Sequence, residues 1–139
     1  MTPRSAPRPD QEIWDLMRDL VLDDDRRREV ERTTGLSFWR ARSLRRIAER
    51  ELRMSDLAGV LSVSAPQATI LVNFLEAEGL VERASDPADG RARIVRTTPR
   101  GRHVVEQITT VLRRPPAGTR RLSADEQREL LRLLRQLRD

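Results

Sequence analysis

Apolar residues recur at three- and four-residue spacing over Gln11 to Arg32, where Ile13, Trp14, Leu16, Met17, Leu20 and Val21 form a stripe that predicts a helix. The acidic triplet Asp23–Asp25 and the basic run Arg26–Arg28 make a polar stretch within or near it. Gly35 breaks the pattern, and Ser37 is placed as the N-cap of a helix over Phe38 to Glu49, with Leu44 and Ile47 facing inward. Ser55 is expected to cap a short helix, Asp56 to Leu61, with Asp56 at the positive end of its dipole. After the tight Ser62-Val63 connection, Ser64 caps the next helix. Gln67 stands three residues on, at capping-box spacing. Pro66 is tolerated in that first turn, where backbone donors lack helical partners. Ala68, Leu71, Val72 and Leu75 form the buried stripe of this helix, and Gly79 ends it.

Leu80 to Ala84 and Arg91 to Thr97 read as short strands. The segment SDPADG between them is turn chemistry, including an Asp-Gly step. Thr98-Pro99 opens a helix through Val104, Val105, Ile108, Val111 and Leu112, which RRPPAGT interrupts. A second capping box, Ser123 to Glu126, starts a last helix with Leu130, Leu131, Leu133, Leu134 and Leu137.

At 139 residues the chain is expected to hold one domain. An apolar fraction of 37% beside 35% charged residues suits an elongated, helix-rich fold that completes its core by pairing with another subunit. Residues 1–10, MTPRSAPRPD, lack an apolar core and read as a disordered arm rather than a signal peptide. No run of 18 apolar residues suggests a membrane span, so a cytoplasmic location is expected. With no Cys there is no disulfide, thiol switch or thiolate metal site, and His103 alone builds no metal cluster. A Gly-rich phosphate loop, Tyr, and Ser–His or His–Cys pairings are all missing, which argues against an enzyme and against a bound cofactor. The abundance of Arg and Ala is associated with a GC-rich bacterial genome.

All 27 basic residues are Arg, and the net charge is +5. Residues 35–53 hold six Arg against two Glu, and residues 82–102 hold six Arg against three acids. Between them, residues 54–81 carry three acids and no base. Two basic flanks around an uncharged helix suit DNA, because cations hold phosphates while neutral groups read base edges. Each run taken alone also reads as a solvated face.

The motifs LAGVLSVS (Leu57–Ser64), LEAEGLVER (Leu75–Arg83) and DPADGRARIVRTTPRG (Asp86–Gly101) resemble the multiple-antibiotic-resistance-regulator family, MarR. Weaker similarity extends to IWDLMRDL and LSADEQRELLRLLRQL, covering nearly the whole chain after residue 10. The resemblance implies a mainly α fold: a winged helix-turn-helix with a β-hairpin wing, and terminal helices forming a dimerisation region. On that reading residues 11–34 and 99–139 are dimerisation helices, and residues 35–98 are the DNA-binding lobe. It further implies a homodimeric, ligand-responsive repressor of transcription on a pseudo-palindromic operator.

In a helix-turn-helix the N-terminal residues of the second helix meet base edges. Here these include Ser64, Pro66, Gln67 and Thr69, with Asn73 a turn further on. Gln bonds an adenine edge in bidentate fashion, and Thr bonds a base or touches a thymine methyl. Gln67 has a competing role in the capping box, and Ser64 and Thr69 are equally suited to phosphate. A wing needs a long cation for a narrow groove, which points to Arg91 and Arg93. By resemblance Asp89 would hold Arg91 through a charge-assisted hydrogen bond. Alternatively Asp86 or Asp89 and Arg91 only staple the hairpin.

Ile70 and Phe74 stand where the family often carries Arg or Lys, at i and i+4 on one side of the helix. They extend the core, touch thymine methyls, or form a protein-facing patch. Gly90 and Thr97 also depart from the family, and Pro115-Pro116 breaks the penultimate helix early. Many members of the family sense small anionic aromatics or lipophilic compounds in a cleft between dimer helices and DNA-binding lobe. Trp14, Met17, Phe38, Trp39 and Arg42 are the candidate lining residues for such an effector, against a plain core role for each. The contrasting function is a winged helix kept as a protein-interaction module without DNA binding.

Overall fold

The computed structural model describes residues 8–21 and 24–138. The chain divides into two compact units, one spanning residues 24–112 and one drawn from the two chain ends.

The terminal unit contains helix α1 (Pro9–Val21), a 3₁₀ turn (Ala117–Arg121) and helix α7 (Ala124–Gln136). α1 starts at Pro9, two residues before the expected start, because Pro suits a first helical turn. Residues 1–7 of the expected arm lie outside the described residues. α7 has the expected capping box: Glu126 N–H donates to Ser123 Oγ, and Ser123 N–H donates to Glu126. Gln127 Nε2 ties the helix back to the carbonyls of Thr119 and Leu122. Neither helix buries its apolar stripe. Ile13, Trp14, Leu16, Leu20 and Val21 of α1 are exposed, as are the leucines of α7.

The central unit holds α2 (Asp24–Thr34), α3 (Phe38–Ala48), β1 (Leu52–Arg53), α4 (Met54–Leu61), α5 (Ala65–Ala77), β2 (Val81–Asp86), β3 (Asp89–Thr97) and α6 (Pro99–Leu112). The helix expected over Gln11 to Arg32 is thus described as two, and residues 22–23 between them lie outside the described residues. Asp25 lies in the first turn of α2, where an acid favours the positive end of the helix. Val30, Leu44, Ile47, Leu57, Leu71, Val72, Leu75, Val95 and Ile108 are buried in one core. Because Val30, Ile108 and Val111 belong to that core, α2 and α6 are part of the central unit. The division therefore falls inside the two segments read as dimerisation helices, residues 11–34 and 99–139.

Ser37 caps α3 as expected, accepting from Arg40 N–H. Ser55 does not cap α4. Leu52 and Arg53 pair with Val95 and Ile94, which holds the chain extended through Arg53. The helix then starts at Met54 and leaves Ser55 in its first turn. Ser62 ends α4 in the left-handed region (φ 56°), a conformation that favours Gly. α5 buries Ala68, Leu71, Val72 and Leu75 as the spacing predicts. It ends at Gly79 (φ 71°), where Leu80 N–H donates to Leu75 C=O and Gly79 N–H to Glu76 C=O. α4 and α5 together are long and apolar but bend by 105°. No single described helix is long and apolar enough to cross a membrane.

The sheet runs β1-β3-β2, all antiparallel. The expected strands extend into the SDPADG segment, and the turn within it lies at Pro87-Ala88. Asp86 Oδ1 accepts from Ala88 N–H and closes that turn. At the base of the hairpin, Thr98 Oγ1 accepts from Gly101 N–H and donates to Gly79 C=O, while Thr98 N–H donates to Leu80 C=O. Gly101 packs onto the same loop. A Cβ built there would lie 1.9 Å from the Leu80 oxygen, so no larger residue fits.

Candidate nucleic-acid interface

The first turn of α5 presents Ser64, Ala65, Pro66 and Gln67, all exposed. The two roles of Gln67 meet in one side chain. Its Oε1 accepts from Ser64 N–H at 3.0 Å, while its own N–H donates to Ser64 Oγ at 3.3 Å. The capping box is formed, and the Nε2 donors of the same amide have no protein partner among the described residues. Thr69 Oγ1 donates to Ala65 C=O, which orients its methyl and hydroxyl on an exposed turn.

Asn73 is held from the sheet side. Arg83 Nη2 donates to Asn73 Oδ1 at 2.6 Å, and Arg83 Nη1 donates to Glu76 at 2.9 Å. Arg83 N–H also donates to Glu76 Oε2. This clamp explains why the LEAEGLVER motif couples a Glu and an Arg across a glycine turn: the pair fixes α5 against β2. It leaves Asn73 with its amide donors, not its carbonyl, for any external partner.

Pairing along the hairpin is regular from Val81↔Thr97 to Ser85↔Arg93, then steps to Asp86↔Asp89. Gly90, Arg91 and Ala92 are therefore left out of the ladder, and such bulges re-aim side chains. Asp89 Oδ1 accepts from the backbone N–H of Arg91 at 3.1 Å. The expected charge-assisted bond between Asp89 and Arg91 is therefore present and runs to the Arg91 backbone, while the exposed guanidinium has no partner among the described residues. Nor does Arg91 staple the hairpin. Asp86 does, through Arg53 Nη2 at 2.7 Å. Hydrogen bonding from Ala88 N–H, with the Arg53 charge beside it, holds the Asp86 carboxyl below the ordinary aspartate range despite burial pushing the other way. Arg93 reaches Ser85 Oγ at 3.5 Å.

The basic flanks separate into engaged and unengaged cations. Arg53, Arg83 and Arg96 pair with Asp86, Glu76, and Glu82 with Glu51. Arg46 lies 4.0 Å from Glu49, and Arg102 donates to Thr97 C=O. Arg40, Arg42, Arg45, Arg50, Arg91 and Arg100 have no carboxylate partner among the described residues. The sequence signal missed here is geometric: counting charges per segment cannot tell a clamp such as Arg83 from a free cation such as Arg91.

The two departures on α5 differ. Phe74 is half-buried against the core, and Arg40 of α3 lies over its ring at 3.6 Å from Cζ to the centroid. Ile70 is 66% exposed, so the core role fails for it. Trp39 and Arg42 line an open depression of about 510 Å³ with Arg45, Arg46, Val60 and Leu61. Phe38 packs against the core beneath Arg27. Trp14 and Met17 sit on α1 in the terminal unit, the first exposed and the second half-buried.

A model of the MarR family matches residues 34–92. The fold is similar to apo MarR from Escherichia coli, with a TM-score of 0.72 and 23% identity over 96% of this chain and 98% of that one. It is also similar to RV1404 from Mycobacterium tuberculosis, with a TM-score of 0.76 and 23% identity over 95% and 93% of the two chains. A mutant E. coli MarR complexed with operator DNA matches with a TM-score of 0.57 and 25% identity, over 94% of this chain and 99% of that one. No curated protein sequence gives a significant match.

Proposed function

Because residues 34–92 of this chain match a model of the MarR family, we propose that it is a DNA-binding transcriptional regulator rather than an enzyme. The observation that carries this reading is the division of labour around α5. Its first turn offers neutral donors, Gln67 Nε2 and Ser64 among them, while Arg91 stands unpaired on the wing bulge. Neutral groups suit base edges in the major groove, and a long cation suits the narrow minor groove. A similar solved structure is complexed with operator DNA, which supports the same use here.

The regulator acts as a homodimer on a pseudo-palindromic operator. Two amphipathic terminal helices with exposed apolar stripes support pairing, since water is a poor partner for such faces. Two copies related by a two-fold axis read two half-sites. As a ligand-responsive repressor it would change operator affinity through an effector that prefers one spacing of its reading helices. A cytoplasmic location goes with this role.

Selection of binding sites from a random duplex pool tests the proposal. Enrichment of an inverted repeat, together with a dimer mass by light scattering, is the expected result. A pool that stays random would favour the protein-interaction reading, for which exposed Ile70 is the supporting observation.

A further inference from the structure

We propose that Arg40, carried by α3 and stacked on Phe74 of α5, is the cation of the reading helix and contacts the phosphate backbone of bound DNA. The inference rests on the DNA-binding reading above and adds a residue from outside the helix-turn-helix.

α5 itself, Ala65–Ala77, contains no Arg. Phe74 lies one helical turn beyond Ile70 on the same side, and Ile70 is solvent-facing. The guanidinium of Arg40, at 3.6 Å from the centre of the Phe74 ring, is within stacking distance. A cation is thereby brought to α5 by a neighbouring helix.

Three observations give that cation a use beyond covering a ring. Arg40 lies in the first turn of α3, where the helix dipole disfavours positive charge, and the Glu31 carboxylate at that end accepts from Phe38 N–H rather than pairing with Arg40. Arg40 has no carboxylate partner among the described residues, and Glu76 of α5 already accepts from Arg83. Finally, stacking engages the face of the guanidinium and leaves its in-plane N–H donors free, the geometry that matches phosphate oxygens. The ring also fixes a side chain that would otherwise lose rotamer freedom on binding, so the contact is prepared in advance.

The test uses the full chain in anisotropy titrations on a duplex that the wild type binds, across a salt series. Arg40→Gln should weaken binding at least about fivefold at low salt. It should also make the slope of log K against log salt shallower by about 0.9 for each phosphate that is no longer neutralised. Phe74→Leu keeps the charge and removes the platform, so affinity should fall while the slope is largely retained. Arg40→Lys should keep the slope and lose part of the affinity. Thermal melts of the three variants separate these effects from unfolding, and Arg40→Lys decides if Arg40→Gln is unstable. A folded Arg40→Gln protein that binds within twofold of wild type with an unchanged slope overturns the inference. If the wild type binds no duplex even at low salt, the DNA reading itself falls and this one with it.

Discussion

The carboxylate of Asp86 lies 2.7 Å from the guanidinium of Arg53, so the residue immediately before α4 also fastens the wing turn. Asp86 is the only buried acid among the described residues, and its second oxygen closes the Pro87-Ala88 turn. Helix-turn-helix and wing are therefore joined by one ion pair rather than by the sheet alone.

That pair makes wing stability depend on pH. The folded carboxyl titrates below the ordinary aspartate value of about 3.9. Its stabilisation is therefore complete above that value and is lost as pH falls through the lower folded one. Hydrogen exchange of the β2 and β3 amides from pH 7 to pH 3 should show the wing loosening at the acid end. Asp86→Asn should be less stable than wild type at pH 7 and should converge with it in acid. A constant difference across the range would contradict this role.

Gly101 faces the Leu80 carbonyl so closely that a methyl group cannot be added without moving backbone. Gly101→Ala should destabilise the protein by about 3 kcal/mol or more, at the upper end of overpacking costs. Thr98→Ala, which removes the cap of the same turn, should cost about 1 kcal/mol. Denaturant unfolding of both variants gives the order, and a near-neutral Gly101→Ala would contradict the close approach.

Ser62 is the one non-Gly residue with positive φ among the described residues. Ser62→Gly should relieve that strain. After Gly's greater freedom in the unfolded chain is subtracted, a net gain of about 0.5 kcal/mol is expected. A higher melting temperature with unchanged far-ultraviolet dichroism is the predicted result, and a lower one would contradict it.

Gln67 combines cap and candidate reader, and Gln67→Glu separates the two. The carboxylate keeps the acceptor that Ser64 N–H requires and adds a charge favourable to a helix N-terminus. Thermal stability should therefore hold or rise slightly. DNA binding should weaken, because a carboxylate faces phosphates and cannot donate to a base. Unchanged affinity and sequence preference would assign the residue to capping alone.

The Arg91 guanidinium has no intramolecular partner among the described residues, so truncating the side chain should leave folding untouched. Arg91→Ala is expected to keep the wild-type melting temperature, weaken DNA binding and make the salt slope shallower. A drop in melting temperature without a change in binding would make it a structural residue.

Much of the architecture was legible from local rules. The caps at Ser37, Ser64 and Ser123, the stripe Ala68–Leu71–Val72–Leu75 and the glycine stop at 79 all depend on residues within one or two turns. Long-range pairing was not legible. β1 is two residues long and exists only because β3 is beside it, so nothing near Leu52 announces it, and the helix start shifted from Ser55 accordingly. Within the turn segment SDPADG, the position at Pro87-Ala88 is set by the Asp86 side chain, which closes it. At the candidate interface the neutral helix and the wing cation were readable from their motif. The ring contact of Arg40 and the clamp on Asn73 were not, since each joins residues from separate elements.

DNA binding through α5 and the wing is the proposed function of this chain. The most direct measurement is fluorescence anisotropy of the purified protein titrated onto duplex from its own upstream region, beside a scrambled duplex, at several salt concentrations. Tighter binding to its own region, with affinity falling steeply as salt rises, is the predicted result. Failure to bind either duplex at low salt would contradict the claim and turn attention to exposed Ile70 as part of a protein-binding face.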